Sequence, residues 1–173
     1  MSLPDFHSIR QPVRFCLWFL ACFAGLATSL ELFPRLFGYF HLLPVATMAT
    51  VILEAIGVTA ELTSRHVVAG YCLLDLDGVD YLVTHECTGI VAAFVLAAAI
   101  AAYPTSAWRK SRGLVIAMPA VTLFGVPRLV VLGVVAQARP EWIDLFHVYI
   151  MELATLGFAI FVFVYWVEEF ARP

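Results

Sequence analysis

Thr84-His85-Glu86-Cys87-Thr88-Gly89-Ile90 joins two unlike halves of the chain. Upstream the sequence is polar and alternating; downstream, Thr88 to Tyr103 is a run built mainly of Ile, Val, Ala, Leu and Phe. A polar extended segment therefore passes directly into an apolar helix, and Cys87 stands at the junction. Two further apolar runs follow, Leu114 to Ala136 and His147 to Val167. At about 1.5 Å per residue both can span a ~30 Å hydrocarbon core, whereas 88–103 is short for it.

Composition agrees. Of 173 residues, 62% are hydrophobic and 13% charged, and the mean hydropathy is +0.92. A water-soluble domain of this size cannot present such a surface. The chain reads as a single membrane-embedded domain, 1–173, with little room for a soluble one. It lacks a basic run able to hold nucleic acid. Its four cysteines, Cys16, Cys22, Cys72 and Cys87, show no metal-ligand spacing, so neither a metal nor another cofactor is expected. Cys16 and Cys22 read as inert packing thiols. A Cys72–Cys87 disulfide competes with a free Cys87.

Outward from the junction, the N-terminal side begins with Arg10 and Arg14 ahead of an apolar run, Phe15 to Phe33, longer than a usual signal core and read as a retained helix. Pro34 and Pro44 bracket an aromatic connector suited to the headgroup level. Val45 to Leu62 is helical in pattern but carries Thr47, Thr50, Glu54, Thr59 and Glu61. Between Arg65 and Glu86, short β-rich runs around Asp77-Gly78 predict a hairpin. Asp75, Asp77 and Asp80 read as solvated turn carboxylates, because the glycine falls at the wrong position for a calcium loop. The predicted fold is an all-α polytopic membrane protein with four to five transmembrane helices and a small external β-hairpin, and 45–62 is an interfacial or re-entrant helix.

Arg109, Lys110 and Arg112 form the densest positive cluster, which the positive-inside rule makes cytoplasmic. Run 88–103 then descends from outside, 114–136 returns and 147–167 descends again. Cys87 and His147 both fall at the external face, and Arg128, roughly 22 Å up its helix from Gly113, falls in the outer third of the bilayer. With Arg10 and Arg14 also cytoplasmic, parity keeps 45–62 on the outer side; Arg35 argues the other way.

Intramembrane Arg128 costs about 2.5–3.5 kcal/mol on insertion scales, so something must compensate it. It either snorkels or pairs with Glu54 or Glu152, or offers its donor fork to a substrate carbonyl or oxyanion. A helix starting at Thr88 directs its amides at Cys87 and favours an anion on sulfur. Gly89 leaves room for a substrate backbone. His147 suits a general acid–base. His85, two positions from Cys87 on an extended strand, is the alternative base, with Glu86 pointing away to solvent.

Glu86-Cys87-Thr88-Gly89-Ile90, Arg128 in the next span and His147 opening the last resemble, in order and spacing over residues 36–167, the exosortase/archaeosortase family, in particular its compact exosortase H-like branch. One departure stands out: the family commonly carries Asn-x-x-Arg, and here the stretch is Gly125-Val126-Pro127-Arg128. The resemblance implies a cysteine transpeptidase in the cell membrane with catalytic Cys87, Arg128 and His147, and Gly89, Thr88 and His85 at the substrate. It implies a substrate protein with a C-terminal sorting signal and transmembrane helix, membrane lipids around it, and an amine-bearing acceptor such as a lipid. The rival readings are a non-catalytic membrane scaffold and a proton or ion pathway through Glu54, Arg128, Glu152 and His147.

Overall fold

The computed structural model describes residues 6–171; the Arg10 side chain lies outside the described residues. Helix α1 (Phe6–Leu32) is followed by α2 (Pro34–Ala55), a three-stranded sheet, α3 (Ile90–Ala102), α4 (Ala107–Ala138) and α5 (Pro140–Ala171). Four of these helices are long and apolar enough to cross a membrane, and α3, at 13 residues or about 20 Å, is the short one. Exposed Leu17, Trp18, Leu20, Val115, Leu153 and Phe161 on α1, α4 and α5 are the surface such a bundle offers to lipid. The chain is a multi-pass, predominantly helical membrane protein.

The sheet comprises β1 (Ala60–Thr63), β2 (Tyr71–Leu76) and β3 (Val79–Thr84), antiparallel throughout with β2 in the middle. The expected hairpin is β2–β3. Leu76 pairs with Val79 across a two-residue turn in which Asp77 and Gly78 both take positive φ, 54° and 86°. That is the geometry an Asp-Gly pair favours, and it matches the twist of the strands. The Asp75 carboxylate accepts the Gly78 amide at 2.8 Å. Asp77 meets Thr59 and Gln137.

Two boundaries differ from expectation. Residues 34–44 are helical and not a connector, and the helix expected over 45–62 ends at Ala55, with Ala60–Thr63 becoming β1. Pro34 occupies the first helical turn, where its missing N–H costs nothing. Pro44 follows a π-helical segment, Gly38–Leu42, in which the Leu43 amide bonds the Gly38 carbonyl five residues back. The chain accommodates the proline without breaking.

The helices define two ends. Gln11, Arg14 and Trp18 of α1 share a cleft with Tyr103, Thr105 and Lys110, so the start of α1 lies at the cationic end of the bundle. There Lys110 Nζ donates to the Ala101 carbonyl at 2.5 Å and Arg109 to the Ala171 carbonyl at 3.2 Å, placing positive charge where α3 and α5 end and their dipoles are negative. At the opposite end Gln137 reaches Asp77 of the sheet. Helix α2 begins beside Phe94, with Phe37 edge-on at 5.7 Å, and its Leu53 packs on Gly133. It therefore runs toward the sheet end and does not return to the cationic one.

Core packing follows this division. One buried cluster joins the sheet to α2 and α4 through Leu53, Val67, Leu74, Val83 and Leu129, and includes Cys87. The other joins α3, α4 and α5 near the cationic end around Ile100, Val121 and Trp166.

Candidate active site

β3 delivers Cys87. The strand stops at Thr84, His85 takes helical dihedrals, and Glu86–Thr88 form one 3-10 turn closed by the Thr88 amide on the His85 carbonyl at 3.1 Å. Gly89 then adopts φ +77°, left-handed, and α3 begins at Ile90, two residues later than expected. Only glycine takes that conformation at little cost. Cys87 consequently lies two residues ahead of the helix cap, where the helix dipole has less leverage on sulfur, because its effect is confined to the first turn.

The turn also separates His85 from Cys87. An extended strand would have put both on one side, but the chain leaves the strand at His85. His85 is buried against Gly70, and neither of its ring nitrogens has a hydrogen-bond partner among the described residues. Burial pushes its pKa below the ordinary 6.5, while the Glu31 carboxylate pulls the other way. Glu86 is exposed, as read from the sequence.

All four cysteines are free, so no Cys72–Cys87 bridge exists. Cys16 is exposed on α1 and not packed inside. Cys72 is buried on β2 opposite Val83, and burial pushes its thiol pKa up. Cys87 Sγ lies 3.6 Å from Thr84 Oγ1 and 3.9 Å from His147 Nε2. His147 arrives on α5, within a π-helical segment, Leu145–Ile150, whose closing bond runs from the Met151 amide to the Phe146 carbonyl. Such wide turns re-aim a side chain and recur at functional sites.

Arg128 is 3% exposed. Its guanidinium donates to Glu152 Oε2 at 2.8 Å and to Thr155 Oγ1 at 3.3 Å, and its Nε has no partner among the described residues. The Thr155 hydroxyl in turn donates a hydrogen bond to the Met151 carbonyl at 2.6 Å. Glu152 was one of the two partners anticipated from sequence. No hydrogen bond links Arg128 to Cys87 or His147 among the described residues; the two groups are connected only through Thr155 and the Gly89 turn. The Thr155 methyl lies 3.4 Å from where a Cβ on Gly89 would sit, one side chain from the cysteine turn. The structure brings Cys87 and His147 together, whereas the Arg128 guanidinium is engaged by Glu152 and Thr155 of α5 and touches neither.

Thr88 is fully buried. Its hydroxyl donates to the His85 carbonyl at 2.6 Å, which leaves its oxygen to accept from His41 Nε2 at 2.9 Å. The sequence reading missed His41. Its one signal was a histidine inside the aromatic run Gly38-Tyr39-Phe40-His41-Leu42, and nothing local connects it to a residue 47 positions away. Like His147 it sits in a π-helical segment. Gly125, which in sequence stands where the family commonly carries an amide, on the fold lets α4 approach the Thr88 carbonyl so closely that a Cβ would collide with it. A cavity of about 250 Å³, walled by Leu74, Val83, Leu132, Ala136 and Ile143, opens beside Cys87 and His147.

The family described as transmembrane exosortase (Exosortase_EpsH) matches residues 11–166, nearly the whole chain. The chain belongs to that family. No curated protein and no solved structure matches it. The exosortase match spans all three strands, the Cys87 turn, Arg128 and His147. Among the described residues no group of three or more His, Cys, Asp or Glu side chains is arranged to hold a metal ion.

Proposed function

We propose that the chain is a membrane cysteine transpeptidase that cleaves the C-terminal sorting signal of exported proteins and passes the product to an amine-bearing acceptor, a lipid amine among them. The observation that carries this reading is the approach of Cys87 Sγ to His147 Nε2, 3.9 Å across 60 positions of sequence, beside an open cavity. A free thiol and an imidazole at that range form a nucleophile and its base, and such contacts tighten when substrate binds.

His147 takes the Cys87 proton as sulfur attacks the scissile carbonyl, forming the C–S bond. The same imidazolium returns that proton to the leaving amine as the C–N bond breaks, giving a thioester and releasing the basic tail. The acceptor amine then attacks the thioester and loses its proton to His147. The C–S bond breaks, and His147 reprotonates the sulfur. Arg128 offers a guanidinium to the carbonyl oxygen, exchanging part of its hold on Glu152 and Thr155 for it. Gly89, Thr88 and His85 shape the turn against which the peptide lies. Arg14 and Lys110 share the end of the bundle away from Cys87, which under the positive-inside rule supports a site at the external face of the cell membrane.

Co-expression with a tailed substrate tests this. Processing falls by about 100-fold or more in His147→Ala, in line with loss of a general acid–base, and is abolished in Cys87→Ala, while a Cys87-linked intermediate accumulates when acceptor is withheld. Undiminished processing by Cys87→Ala ends the proposal.

A further inference from the structure

The cavity beside Cys87 has a composition that the nucleophile and base do not require. At about 250 Å³ it is smaller than the ~300–1,000 Å³ of sites that take a whole small molecule, and it suits a single side chain. Its floor is the inner face of the sheet, Leu74 and Val83, and its opposite wall is α4, with Leu132 and Ala136 buried. Its lining includes no Lys or Arg, and its one carboxylate, Asp144, is exposed one helical turn ahead of His147.

Resting on the thiol acyl-transfer reading, we propose that this cavity is the specificity subsite for the residue whose carbonyl Cys87 attacks, and that it selects an uncharged apolar side chain. Three observations converge on this occupant. The cavity shares Cys87 and His147 with the reacting centre, so a peptide with its carbonyl at sulfur has the adjoining side chain within reach. The walls are mainly apolar on both sides, with Tyr81 beside the aliphatic residues of the sheet, so burying an apolar group is favourable and burying a charge is not. Asp144 near the base repels an acidic side chain and leaves an ammonium acceptor unopposed. Leu132 and Ala136 set the depth of the subsite.

Purified full-length protein in detergent micelles is alkylated with iodoacetamide, N-benzyl iodoacetamide or iodoacetate, and the adduct on each cysteine is quantified by mass spectrometry. In each case sulfur displaces iodide and the thiol proton passes to buffer. Exposed Cys16 serves as internal reference for partition of the probe into detergent. Relative to Cys16, Cys87 favours the benzyl probe over iodoacetamide by about tenfold, a typical discrimination for an apolar pocket, and disfavours iodoacetate. Ala136→Phe, which fills the cavity, removes the benzyl preference and leaves Cys16 labelling unchanged. Leu132→Ala, which enlarges it, extends the preference to a naphthyl-sized probe and keeps the test open if Ala136→Phe does not fold.

A Cys87 preference indifferent to both substitutions overturns the subsite. Failure of the transpeptidase reading registers separately. If the probe preferences hold and no tailed substrate is processed, the pocket stands and the reaction falls. If processing needs Cys87 but ignores Ala136→Phe, the reaction stands and the subsite falls.

Discussion

Gly125→Ala isolates the geometry on which the site depends. The added methyl group would stand 3.0 Å from the Thr88 carbonyl carbon and nearer still to its oxygen, both backbone atoms with no flexible end to move aside. Restoring ordinary contact, 3.4 Å or more, requires the Cys87–Thr88 turn and α4 to separate by about 1 Å. Two energies oppose each other. Alanine gains about 1 kcal/mol over glycine inside a helix, whereas overpacking costs typically about 1–3 kcal/mol, so the net loss of stability is modest, about 0–2 kcal/mol. The effect on chemistry is larger. The Cys87–His147 separation already stands at 3.9 Å, and an error of about 1 Å in the placement of reacting groups can cost about 100-fold. Processing of a tailed substrate is therefore expected to fall about 100-fold while the melting temperature in detergent drops by only a few degrees. A Gly125→Ala protein that processes substrate at the wild-type rate refutes the claim that α4 holds the cysteine turn in place. Gly125→Asn, which restores the amide common in the family, is predicted to be worse still in this chain because its side chain is larger.

Three further outcomes follow from the same geometry. Glu152→Ala leaves the buried Arg128 guanidinium without its carboxylate and is expected to cost about 1–3 kcal/mol, toward the lower end because the Glu152 side chain is 56% exposed; chemical denaturation reads it, and a Glu152→Ala enzyme that still processes substrate while Arg128→Ala does not assigns the guanidinium to the reaction and not merely to anchoring. His85 has a folded pKa below its unfolded 6.5, so on acidification below about pH 6.5 the unfolded chain binds the proton first and the His85 contribution to stability declines; melting temperature against pH shows this slope in wild type, and it is shallower in His85→Leu. His41→Ala removes the donor to Thr88 Oγ1 and is expected to cost about 1 kcal/mol and to slow alkylation of Cys87 by iodoacetamide, with recovery in His41→Gln; unchanged labelling removes His41 from the site.

What the sequence disclosed depended on how local the cause was. Asp77-Gly78 announces its turn because the two residues adopt the required positive φ themselves, and Arg128 announces a partner because an isolated guanidinium in an apolar run has to find one. β1 gave no such signal. Ala60–Thr63 is a strand because Leu62 and Glu61 lie opposite Leu74 and Asp75, partners 12 and 14 residues away, and its Thr and Glu residues read as a polar end to the preceding helix. Pro34 and Pro44 misled in the opposite direction. Both are usual helix boundaries, but one sits in a first turn and the other behind a wide turn that absorbs it. The helix expected from Thr88 begins only at Ile90, a delay the sequence hides because glycine also occurs inside ordinary apolar helices, and only the fold shows the left-handed φ +77° at Gly89 that postpones the start.

Much of the irregular backbone of this chain lies about the cysteine turn, although a third π-helical segment, Val167–Ala171, closes α5 at the cationic end. The left-handed Gly89 and the 3-10 turn before it, the two π-helical segments carrying His41 and His147, and the close approach at Gly125 all converge on residues 84–89. Within an apolar bundle, backbone that departs from helix is tolerated only where protein or a water-lined cavity surrounds it. A bundle needing only to pack could have kept regular helices there. The two π-helical segments that carry histidines bring them to adjacent residues, one to the Thr88 hydroxyl and the other to the Cys87 sulfur. One histidine fixes the turn while the other faces the thiol, so a substitution that regularises either helix should disable the site without unfolding the bundle.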